Sequence, residues 1–445
     1  MIRRAFASVV FVLLAALPAR AIDIQQITSP GGINAWLVED HSIPFTAVTM
    51  MFKGGASLDL PGKRGAINLM TATLEEGAGE MDQTQFAEAL ESLGAALSFD
   101  VSDDALVVST RALTENRDQL ADLAKLSLTE PLFQQEALDR VRAQVLSNIR
   151  AGESDPQTIA SKEMAKLMWG DHPYGTSTSG TVESVTALTR EDMIDAKNLV
   201  LARDRVVVAA SGDITAQDLG LFLDRVLGDL PSVGSAPLPQ PAIFQLTGGD
   251  TVIDWDSPQT VVSFAQAGLP IDDPDFFAAF VANHILGGGG FSARLMEEIR
   301  EKRGLTYGVG TGLSNGLYGD SWIGGMASGN DKVAEAVGLV REQWALMAQS
   351  GVTDQELANA KTYLTGEYPL RFDGNGRIAN ILAGMQLAGF PADYVNTRNA
   401  KIEAVTAADV KRVTARLLHP DQLRFVMVGR PEGLGPDAET VAAPE

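Results

Sequence analysis

The sequence repeats part of itself at a fixed distance, and this repeat constrains the fold more than any other feature. Asp192 lies at the start of a helical stretch, which is followed by an apolar run that ends at Gly212. The same order returns with Asp409 and a second apolar run that ends at Gly429. The two aspartates are 217 positions apart, and so are the two glycines. One offset at two anchors indicates an internal duplication.

Each half mixes short β-rich runs with amphipathic helical stretches. Residues 46–52 and 205–211 are apolar runs of strand length. Residues 136–149 place Leu138 and Val145 on one helical stripe with other apolar residues. Strands in runs mixed with helices predict an α+β fold, with helices on one face of a sheet in each half.

The first 21 residues match a secretory signal peptide. A basic start with Arg3 and Arg4 precedes a thirteen-residue apolar run, residues 5–17, and a small-x-small site that ends at Ala21. The run is too short to span a bilayer comfortably, so we expect cleavage after Ala21 and an exported protein, periplasmic or secreted. The alternative is an uncleaved membrane anchor. After cleavage no membrane span is expected.

The remaining chain is longer than one ordinary hydrophobic core, so at least two domains are expected. A proline-rich stretch, residues 235–241, marks an extended linker near the middle. We therefore predict an N-terminal domain at 22–232, a linker at 233–247 and a C-terminal domain at 248–434. Residues 435–445 are rich in Pro, Ala and acids and are expected to be disordered.

Composition excludes several classes of function. Without the first 21 residues the chain has 32 basic and 57 acidic residues, a net charge of −25. Such a chain repels phosphate backbones and anionic lipid head groups, so nucleic acid is not an expected partner. The absence of cysteine excludes disulfides, thiolate metal sites and cysteine nucleophiles.

Histidine is scarce, which limits metal and acid–base chemistry. The four histidines are His41, His172, His284 and His419. No two of them are at helical spacing, so the sequence has no i, i+4 zinc pair. It also lacks a Gly-x-Ser-x-Gly elbow, and its glycine run lacks the Gly-Lys-Ser/Thr ending of a phosphate-binding loop.

One stretch carries recognisable chemistry. Residues 287–312 read GGGGFSARLMEEIREKRGLTYGVGTG. Arg300 is expected on the last helical turns before the stop signal Gly304, and Tyr307 opens the next strand. A tight turn brings both side chains together, and a guanidinium and a phenol are suitable donors to a carbonyl oxygen that gains charge. The alternative is that Arg300 pairs with an acid such as Glu297 and that Tyr307 is a core aromatic.

This stretch resembles the C-terminal half of the pitrilysin/insulinase family of zinc peptidases. Family members carry a glycine-rich turn, an S-x-R-L-x-x-x-I-R helix and then R-G-L-x-Y entering a strand. The resemblance covers essentially the whole mature chain and implies two homologous halves, each with a mostly antiparallel sheet, as in mitochondrial-processing-peptidase-like proteins. It implies that Arg300 and Tyr307 point at the substrate carbonyl. The glycine run would let substrate or partner backbone approach closely; it comprises Gly287, Gly288, Gly289 and Gly290.

The same resemblance reveals a missing zinc site. The family pattern G-x-A-H-x-x-E-H falls on residues 65–72, where the two histidines and the glutamate are replaced by Asn68, Ala72 and Thr71. The third ligand, a later glutamate, falls on Asn148. None of these side chains replaces an imidazole ligand, a carboxylate ligand or the general base. We therefore expect no cofactor in this chain and zinc in a partner.

In two-chain members of the family, one subunit holds the zinc motif and the other holds the arginine–tyrosine pair. The resemblance predicts the second type: the non-zinc subunit of an exported heterodimeric zinc metallopeptidase, inactive alone. Its partner is a homologous subunit carrying H-x-x-E-H, to which this chain offers Arg300 and Tyr307 for peptide hydrolysis. The alternative is a catalytically inert scaffold or a peptide-binding pseudo-peptidase.

Overall fold

The computed structural model describes residues 22–441. The predicted signal peptide, residues 1–21, and the last four residues lie outside the described part. Among the helices of residues 22–441, none combines the length and the apolar character needed to cross a bilayer.

The first half is built from strands and α-helices. Its strands are β1 Gln25–Thr28, β2 Asn34–Glu39, β3 Phe45–Lys53, β4 Gly77–Ala78, β5 Met81–Asp82, β6 Ala96–Val101, β7 Ala105–Leu113 and β8 Val206–Gly212. Its helices are α1 Ala66–Ala72, α2 Gln83–Ser92, α3 Arg117–Thr129, α4 Gln135–Glu153, α5 Pro156–Trp169, α6 Val182–Thr186, α7 Arg190–Val200 and α8 Ala216–Leu227.

The second half repeats this plan. Its strands are β9 Gly249–Asp254, β10 Gln259–Ala267, β11 Thr306–Asn315, β12 Asp320–Gly329, β13 Arg424–Gly429 and β14 Glu439–Val441. Its helices are α9 Phe276–Asn283, α10 Val333–Ser350, α11 Asp354–Glu367, α12 Asn375–Leu387, α13 Tyr394–Ala404 and α14 Ala407–Leu417.

The two main sheets have the same strand order. The first runs β1-β2-β8-β3-β7-β6, and the second, read from the corresponding edge, runs β14-β9-β13-β10-β12-β11. Most neighbouring strands are antiparallel; β2 with β8, β9 with β13 and β9 with β14 are parallel. The predicted α+β fold of two homologous halves, each with a mostly antiparallel sheet, is therefore confirmed.

The duplicated sequence anchors have matching structural roles. Asp192 and Asp409 each complete a capping box at the start of a helix, α7 and α14, with a threonine three residues earlier. Gly212 and Gly429 end β8 and β13 with φ of 121° and 154°. A side chain at either glycine would overlap the neighbouring strand. The constant offset of 217 residues thus reflects two equivalent local structures.

Each sheet buries one face against helices of its own half, as the sequence predicted. Along β3, Met50 and Phe52 are fully buried in the core of the first half. The intervening Met51 is buried as well, but it belongs to a different cluster on the opposite face of the sheet. The central strand therefore needs cover on both faces, because successive side chains alternate between them.

That second face is covered by a helix from the other half of the chain. Helix α12 packs across β3 and β8, where Leu382 and Ala383 are fully buried. The Gln386 Nε2 atom of this helix donates a hydrogen bond to the Val208 carbonyl oxygen at 2.7 Å. In return, helix α5 of the first half packs on β10 and β13, and Met164 is buried with Val426. The halves therefore exchange one helix each.

The linker and the C-terminus pack against these elements. In the described chain, residues 228–248 contain no helix or strand, and the Gln245 N–H donates to the Met168 carbonyl oxygen at 2.9 Å. The structure differs from the sequence prediction at the tail. Residues Glu439–Val441 form β14, a parallel partner of β9, whereas disorder was expected from residue 435. The backbone groups on the outer edge of β9 need hydrogen-bond partners, and β14 supplies them. A Pro- and Ala-rich composition does not reveal this pairing.

The helix exchange generates a stability prediction. We expect Leu382→Ala to lower the free energy of unfolding by about 2–5 kcal/mol, the range for truncating a fully buried leucine. Urea unfolding followed by tryptophan fluorescence measures this loss, with Trp36 in the first half and Trp344 in the second as reporters. The matched control is Leu370→Ala, since Leu370 is 74% exposed and its loss should cost no more than about 0.5 kcal/mol. Two separate transitions, only one of them moved by Leu382→Ala, would contradict a fold held together by exchanged helices.

Candidate functional site

The segment that carries the predicted motif is a helix interrupted at the glycine run. Helix α9 continues into a π-helical turn at His284–Gly288, and a second π-helical segment, Met296–Glu301, carries Arg300. Gly304, with φ of 61°, ends this segment, and β11 begins two residues later. The structure thus places Arg300 on the last helical turn and Tyr307 at the start of a strand, as the spacing predicted.

The glycine run packs against its own chain. A side chain at Gly287 would overlap Thr311 of β11, and one at Gly288 or Gly289 would overlap Asn283 or His284. Three of the four glycines are therefore required for close packing within this half. Gly290 has φ of 58° and open space around its Cα, which fits a tight turn at the surface. Close approach of substrate or partner backbone to this run stays a prediction.

Arg300 and Tyr307 lie against each other. The Cζ atom of Arg300 is 5.0 Å from the centroid of the Tyr307 ring and lies over its face. Tyr307 is 89% exposed, which excludes a role as a core aromatic. Glu297, the alternative partner of Arg300, instead forms an ion pair with Lys302 at 3.0 Å. The turn therefore brings a guanidinium and a phenol to one exposed place.

The hydrogen-bond donors of this pair are free. Within residues 22–441, no hydrogen bond uses a side-chain N–H of Arg300 or the hydroxyl of Tyr307. The nearest carboxylate, that of Glu301, lies 3.6 Å from the Arg300 Nε atom and is itself exposed. The Arg300 side chain is 25% exposed, and its N–H groups, unused within the described chain, are available to an acceptor from outside, such as a carbonyl or carboxylate oxygen.

A neighbouring arginine anchors the segment. Arg294 forms a bidentate pair with Glu356 of α11, at 2.6 Å and 2.8 Å, and also donates to the Gly351 carbonyl oxygen. Burial works against the charge of Glu356, but the hydrogen bonds from Arg294 and from Thr353 outweigh it and lower the pKa of Glu356 to about 2. This pair fixes the start of the helical segment against α11, while Arg300 near its end makes no hydrogen bond within the described chain and has only the longer contact with Glu301.

Phe291 is a member of the site that the sequence analysis did not single out. Its ring lies 4.6 Å from the Cζ atom of Arg300, and it is 71% exposed. The residue stands in the motif directly after the glycine run, but its spacing from Arg300 matches no regular period. Only the turn at Gly290–Ser292 brings it to the guanidinium.

The predicted positions of the missing zinc motif lie on helix α1. Asn68 is half-buried, Ala72 is exposed, and Thr71 is buried with its hydroxyl donating to the Ile67 carbonyl oxygen at 2.7 Å. The threonine therefore serves the helix backbone. No side chain at these three positions offers the imidazole or carboxylate groups that bind zinc in such a motif.

The predicted third position lies on helix α4, which packs against α1. Asn148 is exposed, and its side-chain oxygen accepts a hydrogen bond from Gln144 at 2.9 Å. Glu76 follows α1 closely in the sequence, and it forms an ion pair with Arg140 of α4. Between residues 22 and 441, no group of three or more His, Asp or Glu side chains is placed to hold a metal ion. The residues present do not fit a zinc site.

Helix α1 is nevertheless held in place firmly. The two carboxylate oxygens of Asp59 accept hydrogen bonds from the backbone N–H groups of Gly65 and Ile67, each at 2.8 Å. Burial raises the pKa of Asp59 to about 6, although these bonds and the nearby Arg64 oppose the shift. The cap satisfies the orphan donors at the start of the helix, so the helix persists without a metal.

The four histidines make separate contacts. His41 bonds to Asp213, His172 to the Gln240 carbonyl oxygen and His419 to the Arg416 carbonyl oxygen, while His284 stacks on Tyr363. None of these histidines belongs to a group of three or more side chains placed to hold a metal ion in the described chain.

Fold and site together define a two-half, metallopeptidase-like protein with an arginine–tyrosine pair at its surface and, among residues 22–441, no cluster of side chains placed to hold a metal ion. The insulinase family profile (peptidase family M16) matches residues 35–182, and the profile of the peptidase M16 inactive domain matches residues 187–364. The chain belongs to this family.

Individual relatives agree with this assignment. The chain is 26% identical to a non-peptidase homolog, YmxG, of Helicobacter pylori over 416 residues, which is 93% of this chain and 95% of the relative. It is also 26% identical to an uncharacterized zinc protease of Streptomyces coelicolor, covering 89% and 87%. A solved structure from Pseudomonas fluorescens, described as a peptidase M16 inactive domain, is 29% identical and superposes with a TM-score of 0.85, covering 94% and 100%.

The anchoring pair generates a pH prediction. The folded-state pKa of Glu356, about 2, lies below its ordinary value of 4.5, so the carboxylate contributes stability that is fully present above pH 4.5. We expect the difference in unfolding free energy between the wild type and Glu356→Gln to be constant above about pH 5 and to shrink as the pH falls toward 2. Urea titrations at a series of pH values measure it. Glu342→Gln is the control, because Glu342 forms no ion pair within the described chain. A difference that persists undiminished in acid would argue against the ion pair.

Proposed function

We propose that this chain is the non-zinc subunit of an exported heterodimeric zinc metallopeptidase. The observation that carries the proposal is an exposed arginine–tyrosine pair with unused donors, on a chain whose own zinc positions are Asn68, Thr71, Ala72 and Asn148. In this arrangement the chain offers Arg300 and Tyr307 to a peptide held at the partner's active site. The partner is a homologous subunit that carries H-x-x-E-H and holds the zinc.

The relatives support a subunit that is inactive alone. One relative is named a non-peptidase homolog and one solved neighbour an inactive domain, whereas other relatives of similar identity are named zinc proteases. Chains with and without peptidase names thus share one fold across nearly their full length. A division of labour between two such chains accounts for the coexistence of an intact Arg300–Tyr307 pair and a missing ligand set.

The proposed role is electrostatic. During hydrolysis the carbonyl oxygen of the cleaved peptide bond gains negative charge, and N–H and O–H donors placed at that oxygen bind it more strongly as the charge grows. The Arg300 guanidinium supplies a positive charge and N–H groups in a planar fork, and the Tyr307 hydroxyl supplies one O–H. Neither group needs to change its protonation state, so the pair acts as a binding element for the transition state.

An inert scaffold or a peptide-binding pseudo-peptidase is the alternative function. The observation in its favour is that Phe291 and Tyr307, which both contact Arg300, expose aromatic surface that is suited to holding a peptide. Such a scaffold, however, gives no reason for placing a guanidinium and a phenol side by side with their hydrogen-bond donors unused within the described chain. We therefore place the catalytic helper first.

Export is part of the proposal. The basic start, short apolar run and small-x-small site of residues 1–21 are typical of a secretory signal peptide. The mature subunit would then meet its partner in the periplasm or outside the cell, where peptides are available as substrates.

The first test is co-purification. We expect this chain, isolated from its native cell envelope, to bring with it a second chain carrying H-x-x-E-H, and the complex to contain zinc. The chain expressed alone should retain far less than one zinc per molecule after dialysis and should cleave no peptide, because its side chains do not form a ligand set. Metal analysis and an internally quenched peptide mixture provide the two readouts. One tightly held zinc in the isolated chain, with peptidase activity, would overturn the division of labour.

The second test changes the pair itself. Tyr307→Phe removes one hydroxyl and keeps the ring under Arg300, so we expect unchanged partner binding and thermal stability but a catalytic constant reduced by roughly a hundred- to a thousandfold. Arg300→Lys should also fail, since an ammonium does not reproduce the planar fork. Tyr363→Phe is the control, an exposed tyrosine of the same half outside the pair. Wild-type turnover in the Tyr307→Phe complex would move the scaffold function to first place.

A further inference from the structure

We propose that Phe291 is a positioning residue for Arg300: its ring restrains the guanidinium beside Tyr307, where the N–H groups stay available to an acceptor from outside the chain. The proposal rests on the proposed function for its catalytic consequence. Its structural part, that Phe291 and Tyr307 together restrain Arg300, is a property of the isolated chain and is tested separately.

Two aromatic rings cover the guanidinium of Arg300. Its Cζ atom lies over the Phe291 ring at 4.6 Å and over the Tyr307 ring at 5.0 Å from the respective centroids. Both distances are within the range at which the ring quadrupole attracts a cation. The guanidinium therefore has a ring on each of two sides, and its N–H groups, which lie in the plane of the fork, make no hydrogen bond within residues 22–441.

The N–H groups of Arg300 make no hydrogen bond within residues 22–441, and other arginines of the chain show that this is not a general result of packing on an aromatic ring. Arg341 lies over the Phe425 ring at 4.5 Å, but its Nη2 atom also donates to Asp250 at 2.6 Å. Arg398 lies over the Tyr368 ring at 4.2 Å and donates to a backbone carbonyl oxygen. For Arg300, the Glu301 carboxylate lies 3.6 Å from the Nε atom, beyond hydrogen-bond distance. An acceptor supplied by a ligand would complete the same arrangement.

The position of Phe291 is fixed by its turn rather than by the core. The Ser292 hydroxyl donates to the Gly289 carbonyl oxygen at 2.9 Å, and the Ala293 N–H donates to that of Gly290 at 3.0 Å. Ala293 is fully buried, which anchors the end of the turn. Phe291 itself is 71% exposed, and within the described chain its one aromatic or cation–π contact is with Arg300. The contact with Arg300 explains why the turn holds a large ring at the surface.

The expected effect is moderate and specific. A cation–π contact at an exposed site changes an equilibrium by about two- to fivefold. Removing the Phe291 ring should therefore loosen Arg300 without detaching it, because the Tyr307 ring and the nearby Glu301 remain. The peptidase complex should lose about two- to fivefold in kcat/KM, far less than on loss of Arg300 itself.

The experiment compares Phe291→Leu, which keeps apolar volume but removes the ring face, with Phe291→Tyr, which keeps the ring face. The isolated full-length chain is labelled with 3-fluorotyrosine and observed by fluorine NMR. The chain has six tyrosines, and the Tyr307 signal is the one that disappears in Tyr307→Phe. In Phe291→Leu this signal should move toward its position in Arg300→Ala, since the cation spends less time over the ring. In Phe291→Tyr it should stay at the wild-type position.

The same variants are then assayed in the co-purified complex with the internally quenched peptide mixture. We expect a two- to fivefold lower kcat/KM for Phe291→Leu, recovery in Phe291→Tyr, and no further effect of Phe291→Leu in an Arg300→Ala background. A fluorine signal that Phe291→Leu leaves unmoved overturns the positioning role, and so does an equal loss of activity in the Arg300→Ala background. Failure of the proposed function is distinguishable, because it appears as wild-type turnover in Tyr307→Phe while the fluorine shifts still depend on Phe291.

Discussion

The structure depends on the reciprocal cover of two sheets. Strand β3 is apolar on both faces, and only one face is buried by helices of its own half. Helix α12, more than a hundred residues beyond the linker, covers the other face, and α5 returns the same cover to the second sheet. A half on its own would expose a sheet face built for burial, at a cost of about 25 cal/mol for each Å² of apolar surface. The duplication therefore produces one cooperative unit from two homologous folds.

This exchange also decides where a ligand has access. The exchanged helices cross the central strands, β3 and β8 in one sheet and β10 and β13 in the other. The outermost strand β11 lies at the end of the second sheet, away from that cover, and the site is built where its first residues meet the preceding helical segment. Arg294 and the packed glycine run hold this segment rigidly, while Tyr307 and Phe291 remain exposed. A rigid scaffold with an open rim is the arrangement that a binding site requires.

Local rules and a repeated spacing made much of this predictable from the sequence. Asp192 and Asp409 mark the starts of their helices because each side chain accepts a hydrogen bond from the backbone N–H of the threonine three residues earlier. Arg300 and Tyr307 come together because Gly304 stops the helix between them. The helix exchange was beyond prediction, since the stripe of α12 shows that it is buried but not against which sheet. Strand β14 and the contact of Phe291 with Arg300 were missed for a related reason: each depends on an edge or a turn geometry supplied by distant residues.

Stability and chemistry occupy different residues of the same elements. On α1, Ile67, Leu69 and Met70 are fully buried in the core, whereas Asn68 is half-buried and Ala72 is exposed. The buried Thr71 bonds the helix backbone, so the packing of α1 does not depend on zinc ligands at these three positions. The opposite holds for the arginine–tyrosine pair. The core does not need the Arg300 guanidinium, which makes no hydrogen bond within residues 22–441, or the ring of Tyr307, which is exposed. The packing of α1 explains why the fold tolerates the missing zinc ligands, but it does not explain why Arg300 and Tyr307 lie together at the surface. An acceptor from outside the chain is the interaction that explains that pair.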